Sequence, residues 1–302
     1  MKRLKSIFFN SNENRLRAGW RILIFIVFYI LLSRILSKVT LGIFDYPDKT
    51  AWSWWVTRGF VVILASSMVV WVIRKYIDKK TFISLGLRLD SLAVKDFFMG
   101  LVISGLMIGT IFIIFLISGF LEIGEVSWNN SGIFAAFEIL LWFFGIGLAV
   151  GWSEELAFRG YLLQNMKDGM GMFWAVLLSC LLYGLLHMSN PNSTLLSGVL
   201  IAVFGLLRIF GWLRTSQLWL SMGMHVGWDF FQGPILGFTV SGMNTESLIK
   251  HKMSGPNWIT GGSFGPEAGI VVLPVIIFGL IFMYLWTVKR KNIPWAIKKR
   301  EV

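Results

Sequence analysis

Eight apolar runs limit what this chain can fold into more than any other feature. They cover residues 20–37, 53–73, 97–120, 133–153, 171–188, 194–211, 216–232 and 268–288. A helix needs about 20 apolar residues to cross the hydrocarbon core of a bilayer, and each run is close to that length. Because a helix satisfies its own backbone hydrogen bonds in lipid, the sequence predicts an all-α, polytopic transmembrane helical bundle of about eight spans. Residues 1–302 are expected to form one membrane-embedded domain.

The basic residues predict the orientation of this bundle. The net charge of +12 would suit a nucleic-acid partner, but the lysines and arginines cluster beside the apolar runs. They lie in the N-terminal tail, at 74–80 with Arg88 and Lys95, at Arg214, and at 289–300. Eight crossings put all four clusters on one side, and cytoplasmic loops are the ones enriched in Lys and Arg. We therefore expect a multi-pass cell-membrane protein with both termini cytoplasmic, with lipid as a partner and no nucleic acid.

Ionisable side chains follow the fourth apolar run directly. The stretch from Gly151 to Met166 carries Glu154, Glu155 and Arg159. Charged groups at membrane depth are costly and usually paired or functional. On a helix, Glu155 and Arg159 share a face at i, i+4 and can form an ion pair. Glu154 is rotated from Glu155 by about 100° and is left free for chemistry.

Two further polar pairs occur in later apolar runs, as Tyr183-x-x-x-His187 and His225-x-x-x-Asp229. If the helix of run four continues to residue 166, Glu154 lies about 18 Å from the following turn. His187 then lies about 24 Å along the next helix, at a similar depth. A helix broken after residue 153 would separate the two residues by a membrane thickness. The motifs therefore favour one continuous helix.

Together, Glu-Glu-x-x-x-Arg, Tyr-x-x-x-His and His-x-x-x-Asp resemble the motifs of the CPBP family of intramembrane proteases. That family includes CAAX prenyl endopeptidases and bacterial Abi-type membrane proteins. The resemblance covers residues 133–231 and extends loosely to Leu-Arg-Ala-Gly-Trp-Arg at 16–21 and Thr-Gly-Gly-Ser-Phe-Gly-Pro-Glu at 260–267. Tyr183 is a departure from the family pattern, where Phe is commoner.

The resemblance implies an intramembrane endopeptidase that hydrolyses a peptide bond of a membrane-associated peptide or protein. Its catalytic core would be residues 133–231, with Glu154 activating water. The candidate catalytic residues are Glu154, Glu155, Arg159, His187, His225 and Asp229. Four of them, Glu154, His187, His225 and Asp229, are also the candidate ligands of a zinc ion.

A metal-free route is open as well, with Glu154 as the base and the other residues stabilising the oxyanion. Asp at position 229 favours the metal, because an ionised carboxylate cannot donate to an oxyanion. Two other classes of protein fit the polar residues. One is a non-catalytic immunity or scaffold protein that binds a peptide or partner helix in the same cavity. The weaker one is a secondary transporter, since internal repeats are missing.

Two other segments carry expectations. The Gly-rich outer loop, residues 232–268, is long enough to be a lid or re-entrant segment, although a simple tether remains open. His251, in that loop, is expected to be solvated. The single cysteine, Cys180, lies in an apolar run and is expected to be a buried apolar residue, so neither an intrachain disulfide nor a Cys-rich metal site is possible.

Overall fold

The computed structural model of the protein describes residues 7–10, 15–43, 52–126 and 128–290. The predicted basic residues at 2–5 and 291–300 lie outside this range. Helices dominate the described residues. They are α1 (Ala18–Ile43), α2 (Trp52–Tyr76), α3 (Ser91–Ile117), α4 (Trp128–Glu155), α5 (Leu163–Met170), α6 (Met172–His187), α7 (Leu195–Thr215), α8 (Trp219–Phe230), α9 (Asn257–Thr260) and α10 (Val272–Thr287).

The helical architecture is confirmed, and several helices are candidates for membrane spans, although the predicted number of spans is not confirmed. Within the described ranges, five helices are long and apolar enough to cross a membrane: Ala18–Thr40, Val56–Tyr76, Ser91–Ile117, Gly132–Met170 and Leu195–Thr215. Met172–His187 and Val272–Thr287 are shorter apolar helices. The seventh predicted span, 216–232, contains only the 12-residue α8 followed by a π-helical turn, Phe231–Ile235. Eight crossings therefore stay a prediction.

The fourth span continues past the motif, as the depth argument required. A π-helical segment, Leu156–Leu162, joins α4 to α5 without interruption. Near its start, α4 is broken at Gly132, whose φ of 79° leaves the helical region. The chain reverses after Met170 at Gly171, and α6 runs back antiparallel. Isolated π-helical turns are rare and occur frequently at functional sites.

Two short antiparallel sheets lie outside the helices, where the sequence predicts only loops. Strand β1 (Phe9–Asn10) pairs with β2 (Arg15–Leu16), and β3 (Leu121–Val126) pairs with β4 (Ile249–Met253). The second sheet ties the outer loop to the end of α3. Its charged residues face each other as Glu122 opposite Lys252 and Glu125 opposite Lys250, which stabilises the pairing.

The expectation for His251 is wrong. Its ring lies on β4, with its centroid 4.8 Å from that of Phe238 and 6.3 Å from that of Phe112. Because burial disfavours the charged imidazolium, the pKa of His251 lies below its ordinary value. The alternation of β4 turns this side chain inward, which loop composition alone could not reveal. Cys180 is buried, as expected.

Helices α3 and α8 touch backbone to backbone. A Cβ added at Gly223 would lie 2.0 Å from the carbonyl oxygen of Phe97, and one added at Gly100 would lie 2.5 Å from the carbonyl oxygen of Leu220. Glycine on both helices is therefore required for this approach. Ser104 reinforces the contact by donating from Oγ to the carbonyl of Met224 at 2.6 Å. The contact therefore sets the orientation of α8 and, with it, the direction of its side chains.

Candidate active site

The two adjacent glutamates enter different surroundings. Both stand at the end of α4, before the π-helical segment. The Glu155 side chain is 0% exposed, whereas that of Glu154 is 31% exposed. The predicted ion pair is present, with Oε1 of Glu155 3.2 Å from Nη1 of Arg159. One carboxylate is thus enclosed in the bundle and the other reaches a cavity.

Glu155 also connects α4 to two other helices. Its Oε1 lies 2.9 Å from Nδ1 of His225 on α8 and 3.8 Å from Nη1 of Arg208 on α7. A carboxylate only accepts hydrogen bonds, so Nδ1 of His225 donates, and Nε2 of the neutral ring carries a lone pair. That Nε2 lies 3.8 Å from Glu154 Oε2 and 3.7 Å from Asp229 Oδ2. Glu155 therefore fixes which nitrogen faces the two other carboxylates.

The hydroxyl of Tyr183 holds Glu154. It donates to Glu154 Oε2 at 2.9 Å and accepts from Nη1 of Arg208 at 2.5 Å. The same Nη1 lies 3.4 Å from Nε2 of His225. Phenylalanine, the commoner residue at this position in the family, could make neither contact. Tyrosine at position 183 thus links the buried guanidinium of Arg208 to the partly exposed carboxylate of Glu154.

His187 reaches the same cavity from the end of α6. Its Nδ1 lies 2.9 Å from the backbone carbonyl oxygen of Tyr183, one turn earlier. Since a carbonyl only accepts, Nδ1 donates and Nε2 is the acceptor. The two rings also pack, with centroids 4.4 Å apart. The antiparallel hairpin therefore brings His187 and Glu154 to one cavity, as their predicted depths required.

The cavity has a volume of about 310 Å³ and combines apolar walls with a few converging polar groups. Four of the six predicted residues line it: Glu154, His187, His225 and Asp229. Glu155 and Arg159 lie behind the wall, where they support these residues. The apolar lining includes Leu186, Ile201, Phe204, Trp228 and Met243. Ligand and substrate sites commonly have this combination of surfaces.

Sequence reasoning missed two charged residues of the lining, Arg208 and Glu267. Arg208 could have been found, because it is a lone arginine inside the apolar run 194–211. Glu267 belongs to the outer loop, where Oε1 accepts from the backbone N–H of Ser241 at 2.6 Å and Oε2 accepts from the Gln232 amide. Burial raises the pKa of Glu267 to about 7, against the lowering effect of these hydrogen bonds. In the sequence, the position of Glu267 at the end of the stretch 260–267 was the indication that it belongs to the site.

The residues present do not fit the predicted zinc site as they stand. Among the residues that the structure describes, no group of three or more His, Cys, Asp or Glu side chains could hold a metal ion. In addition, the guanidinium of Arg208 lies beside Nε2 of His225, the lone pair that a metal would need. A permanent cation there repels a dication. Zinc and the individual catalytic roles remain predictions.

Comparison with known proteins gives one match. Residues 136–231 match the family described as Type II CAAX prenyl endopeptidase Rce1-like. No curated protein and no solved structure matches the chain. The matched segment is less than half of the chain, but it begins in α4, ends just after α8 and contains all three motifs. The resemblance predicted from those motifs is therefore confirmed, and over residues 136–231 the chain is similar to the Rce1-like CAAX prenyl endopeptidases.

Proposed function

We propose that the protein is an intramembrane endopeptidase that cleaves a peptide bond of a membrane-associated peptide or protein. The observation that carries the proposal is the position of Glu154, which faces a cavity inside an apolar bundle and is held by the hydroxyl of Tyr183. The family match supports a protease over the other classes of membrane protein. Lipid surrounds the enzyme, and the substrate reaches the cavity from the membrane.

Glu154 acts as the general base. Tyr183 holds Oε2, so Oε1 is free to accept a proton from a water molecule in the cavity. The water oxygen attacks the scissile carbonyl carbon, and the carbonyl π electrons move to its oxygen. When the tetrahedral intermediate collapses, the C–N bond breaks and the proton on Glu154 passes to the departing amine. Water supplies the hydrogen and hydroxyl of the two products, so the step balances.

Arg208 supplies the positive charge that the developing oxyanion needs. Its guanidinium is always protonated, and Nη1 lies within reach of both the Tyr183 hydroxyl and Nε2 of His225. His225 could donate from Nε2 only as an imidazolium, because Nδ1 is engaged by Glu155. Donors fixed beside a developing charge in a water-poor site are among the largest contributions to catalysis. His187 and Asp229 line the same cavity and position the substrate.

The first test is Glu154→Gln in purified, detergent-solubilised protein, with Glu138→Gln as the matched control on the same helix. Cleavage of a proteome-derived peptide library is read by mass spectrometry. We expect new peptide termini with the wild type and with the control, and none with Glu154→Gln. Equal cleavage by all three proteins would refute the role of Glu154.

The same proteins separate the remaining alternatives. Peptides that bind the wild type and Glu154→Gln equally, with no cleavage by either, would establish a non-catalytic immunity or scaffold protein. Bound zinc is measured in parallel for the wild type and Asp229→Asn. Stoichiometric zinc that falls together with cleavage in the variant would establish the metal-dependent route. Full activity of metal-free protein would establish a metal-free route, as proposed here for Glu154 and Arg208.

A further inference from the structure

The bundle has one end that is rich in cations, which we call the basic end. Asp168 lies at the end of α5, and its Oδ2 is 2.8 Å from Nη2 of Arg15 and 3.5 Å from Nζ of Lys80. These ion pairs bring the N-terminal segment, the α2–α3 loop and the α5–α6 turn together. The backbone N–H of Leu218 donates to the carbonyl of Gly86 at 2.8 Å, which adds the α7–α8 loop. The basic end therefore contains Arg15, Arg21, Arg74, Lys80, Arg88 and Arg214.

In the part of the chain that the structure describes, the opposite end carries fewer cations, and the charges of its strands are balanced. Lys250 and Lys252 on β4 are paired in register with Glu125 and Glu122 on β3. Arg34, Lys38 and Arg58 also lie towards this end, on α1 and α2. The α6–α7 loop at 188–194 contains no charged residue. Since cytoplasmic loops carry the excess of Lys and Arg, the basic end is the cytoplasmic one.

The rim of the cavity belongs to the end opposite the basic end. Helix α6 starts beside the basic end and runs 16 residues, about 24 Å, before it reaches His187. Beyond His187, Asn190 of the α6–α7 loop and Ser241 and Met243 of the outer loop line the cavity, and Asn190 donates to the Ser241 carbonyl at 3.1 Å. Glu267 lines it from the same loop. The rim is thus built from outer segments.

A packed apolar cluster lies between the cavity and the basic end. Leu156, Leu218 and Met222 belong to one buried apolar cluster with Tyr161. The hydroxyl of Tyr161 lies 3.4 Å from Oδ1 of Asp78, in the α2–α3 loop of the basic end. The cluster therefore extends from the residue next to Glu155 to the basic end. Among the described residues, this packed cluster stands between the cavity and the basic end.

The charge of the cavity lining further limits which substrates can bind. Among the described residues, the carboxyl groups of Glu154, Asp229 and Glu267 face the cavity together with one guanidinium, that of Arg208. In the proposed reaction Arg208 serves the oxyanion, so a free carboxylate at the C-terminus of a substrate would add a negative charge beside that of Glu154. An internal peptide segment with neutral or basic side chains fits the same cavity without that repulsion.

We propose that the cavity opens on the extracytoplasmic face and that its substrate is an uncharged or basic juxtamembrane segment of a secreted or membrane-anchored peptide. A prenylated C-terminus on the cytoplasmic side is then not the substrate. The substrate class rests on the proposed protease function, whereas the side of the opening does not. The two parts are tested separately.

The side of the opening is tested by cysteine labelling in intact cells. Cys180 is buried and is first changed to Ala. Met243→Cys then marks the rim, and Arg88→Cys is the matched control at the basic end; both native side chains are exposed. We expect a membrane-impermeant maleimide to label the first variant in intact cells and the second only after permeabilisation. The reverse pattern would overturn the proposal whatever the activity of the protein.

The substrate class is tested with two model substrates that differ only in orientation. One basic peptide segment is fused to a single transmembrane helix so that it faces either the outside or the cytoplasm. We expect the wild type to cut only the outward segment and Glu154→Gln to cut neither. Cutting of the cytoplasmic segment would overturn the inference. With the expected labelling, the absence of any cut by the wild type would refute the protease function and this substrate class, and leave the orientation standing.

Discussion

The clearest perturbation is the removal of Glu155, because three groups converge on one of its oxygens. Oε1 lies 2.9 Å from His225 Nδ1, 3.2 Å from Arg159 Nη1 and 3.8 Å from Arg208 Nη1. Glu155→Ala would leave the Arg159 guanidinium, itself 1% exposed, with no carboxylate among its described ion-pair partners. Removing one partner of a buried pair costs roughly 3–5 kcal/mol. The free energy of unfolding should fall by that amount.

Thermal unfolding in detergent can measure this loss without a known substrate. The protein contains 15 tryptophans, so intrinsic fluorescence reports the transition. At roughly 2–4 °C per kcal/mol for a large domain, the midpoint of Glu155→Ala should fall by about 6–20 °C. Glu155→Gln keeps an acceptor for Nδ1 of His225, so its unfolding midpoint should fall less.

Glu154→Ala is the matched control, since it removes the neighbouring glutamate from the same helix. Glu154 is partly exposed and accepts one hydrogen bond, from Tyr183. The unfolding midpoint of Glu154→Ala should shift by no more than corresponds to a loss of about 1 kcal/mol in the free energy of unfolding. A midpoint for Glu154→Ala as low as that for Glu155→Ala would refute the division of roles. So would an unchanged midpoint for Glu155→Ala.

Three further outcomes follow from the contacts. Tyr183→Phe keeps the ring but removes the hydroxyl that holds Glu154, and cleavage should slow roughly 10–100-fold with little change in the unfolding midpoint; an unchanged rate would show that the hydroxyl does not position Glu154. Gly223→Ala should lower stability by about 1–3 kcal/mol or more, whereas Gly109→Ala, with no atom within 4 Å of the added Cβ, should not. The pKa of Glu267 is about 7 in the folded protein, whereas its ordinary value is 4.5. Its protonated form therefore stabilises the fold fully below pH 4.5, and this contribution to stability is lost as the pH rises through 7. Unfolding midpoints of the wild type minus those of Glu267→Gln should therefore decline across that range, and a flat difference would contradict the buried neutral carboxyl.

The parts of the site that the sequence predicts are those encoded by local spacing. The pair Glu155–Arg159 follows from a separation of four residues on a helix, and the common depth of Glu154 and His187 follows from the rise per residue. Hydropathy likewise predicts the long helices. These properties depend on one segment, or on two segments joined by a short turn.

The parts that the sequence does not predict depend on contacts between distant segments. Arg208 meets Tyr183 25 positions away in sequence, and no local pattern connects them. The π-helical segment Leu156–Leu162 has the composition of an ordinary helix. His251 is turned inward only because β4 finds β3, more than 100 residues earlier in the chain. Tertiary pairing of this kind decides direction and burial, which composition leaves open.

The shortness of α8 bears on how the protein is assembled. The 12 residues of α8 span about 18 Å, and with the π-helical turn Phe231–Ile235 the helix reaches at most about 25 Å. This is less than the hydrocarbon core of about 30 Å, so α8 is poorly suited to cross a bilayer by itself. Its insertion depends on α3, which is synthesised more than 100 residues earlier. The two helices pack through the glycine contact described above. His225 and Asp229 therefore reach Glu154 only after the long helices have inserted and associated. A newly made chain is expected to remain without hydrolytic activity until this late docking step in biogenesis is complete.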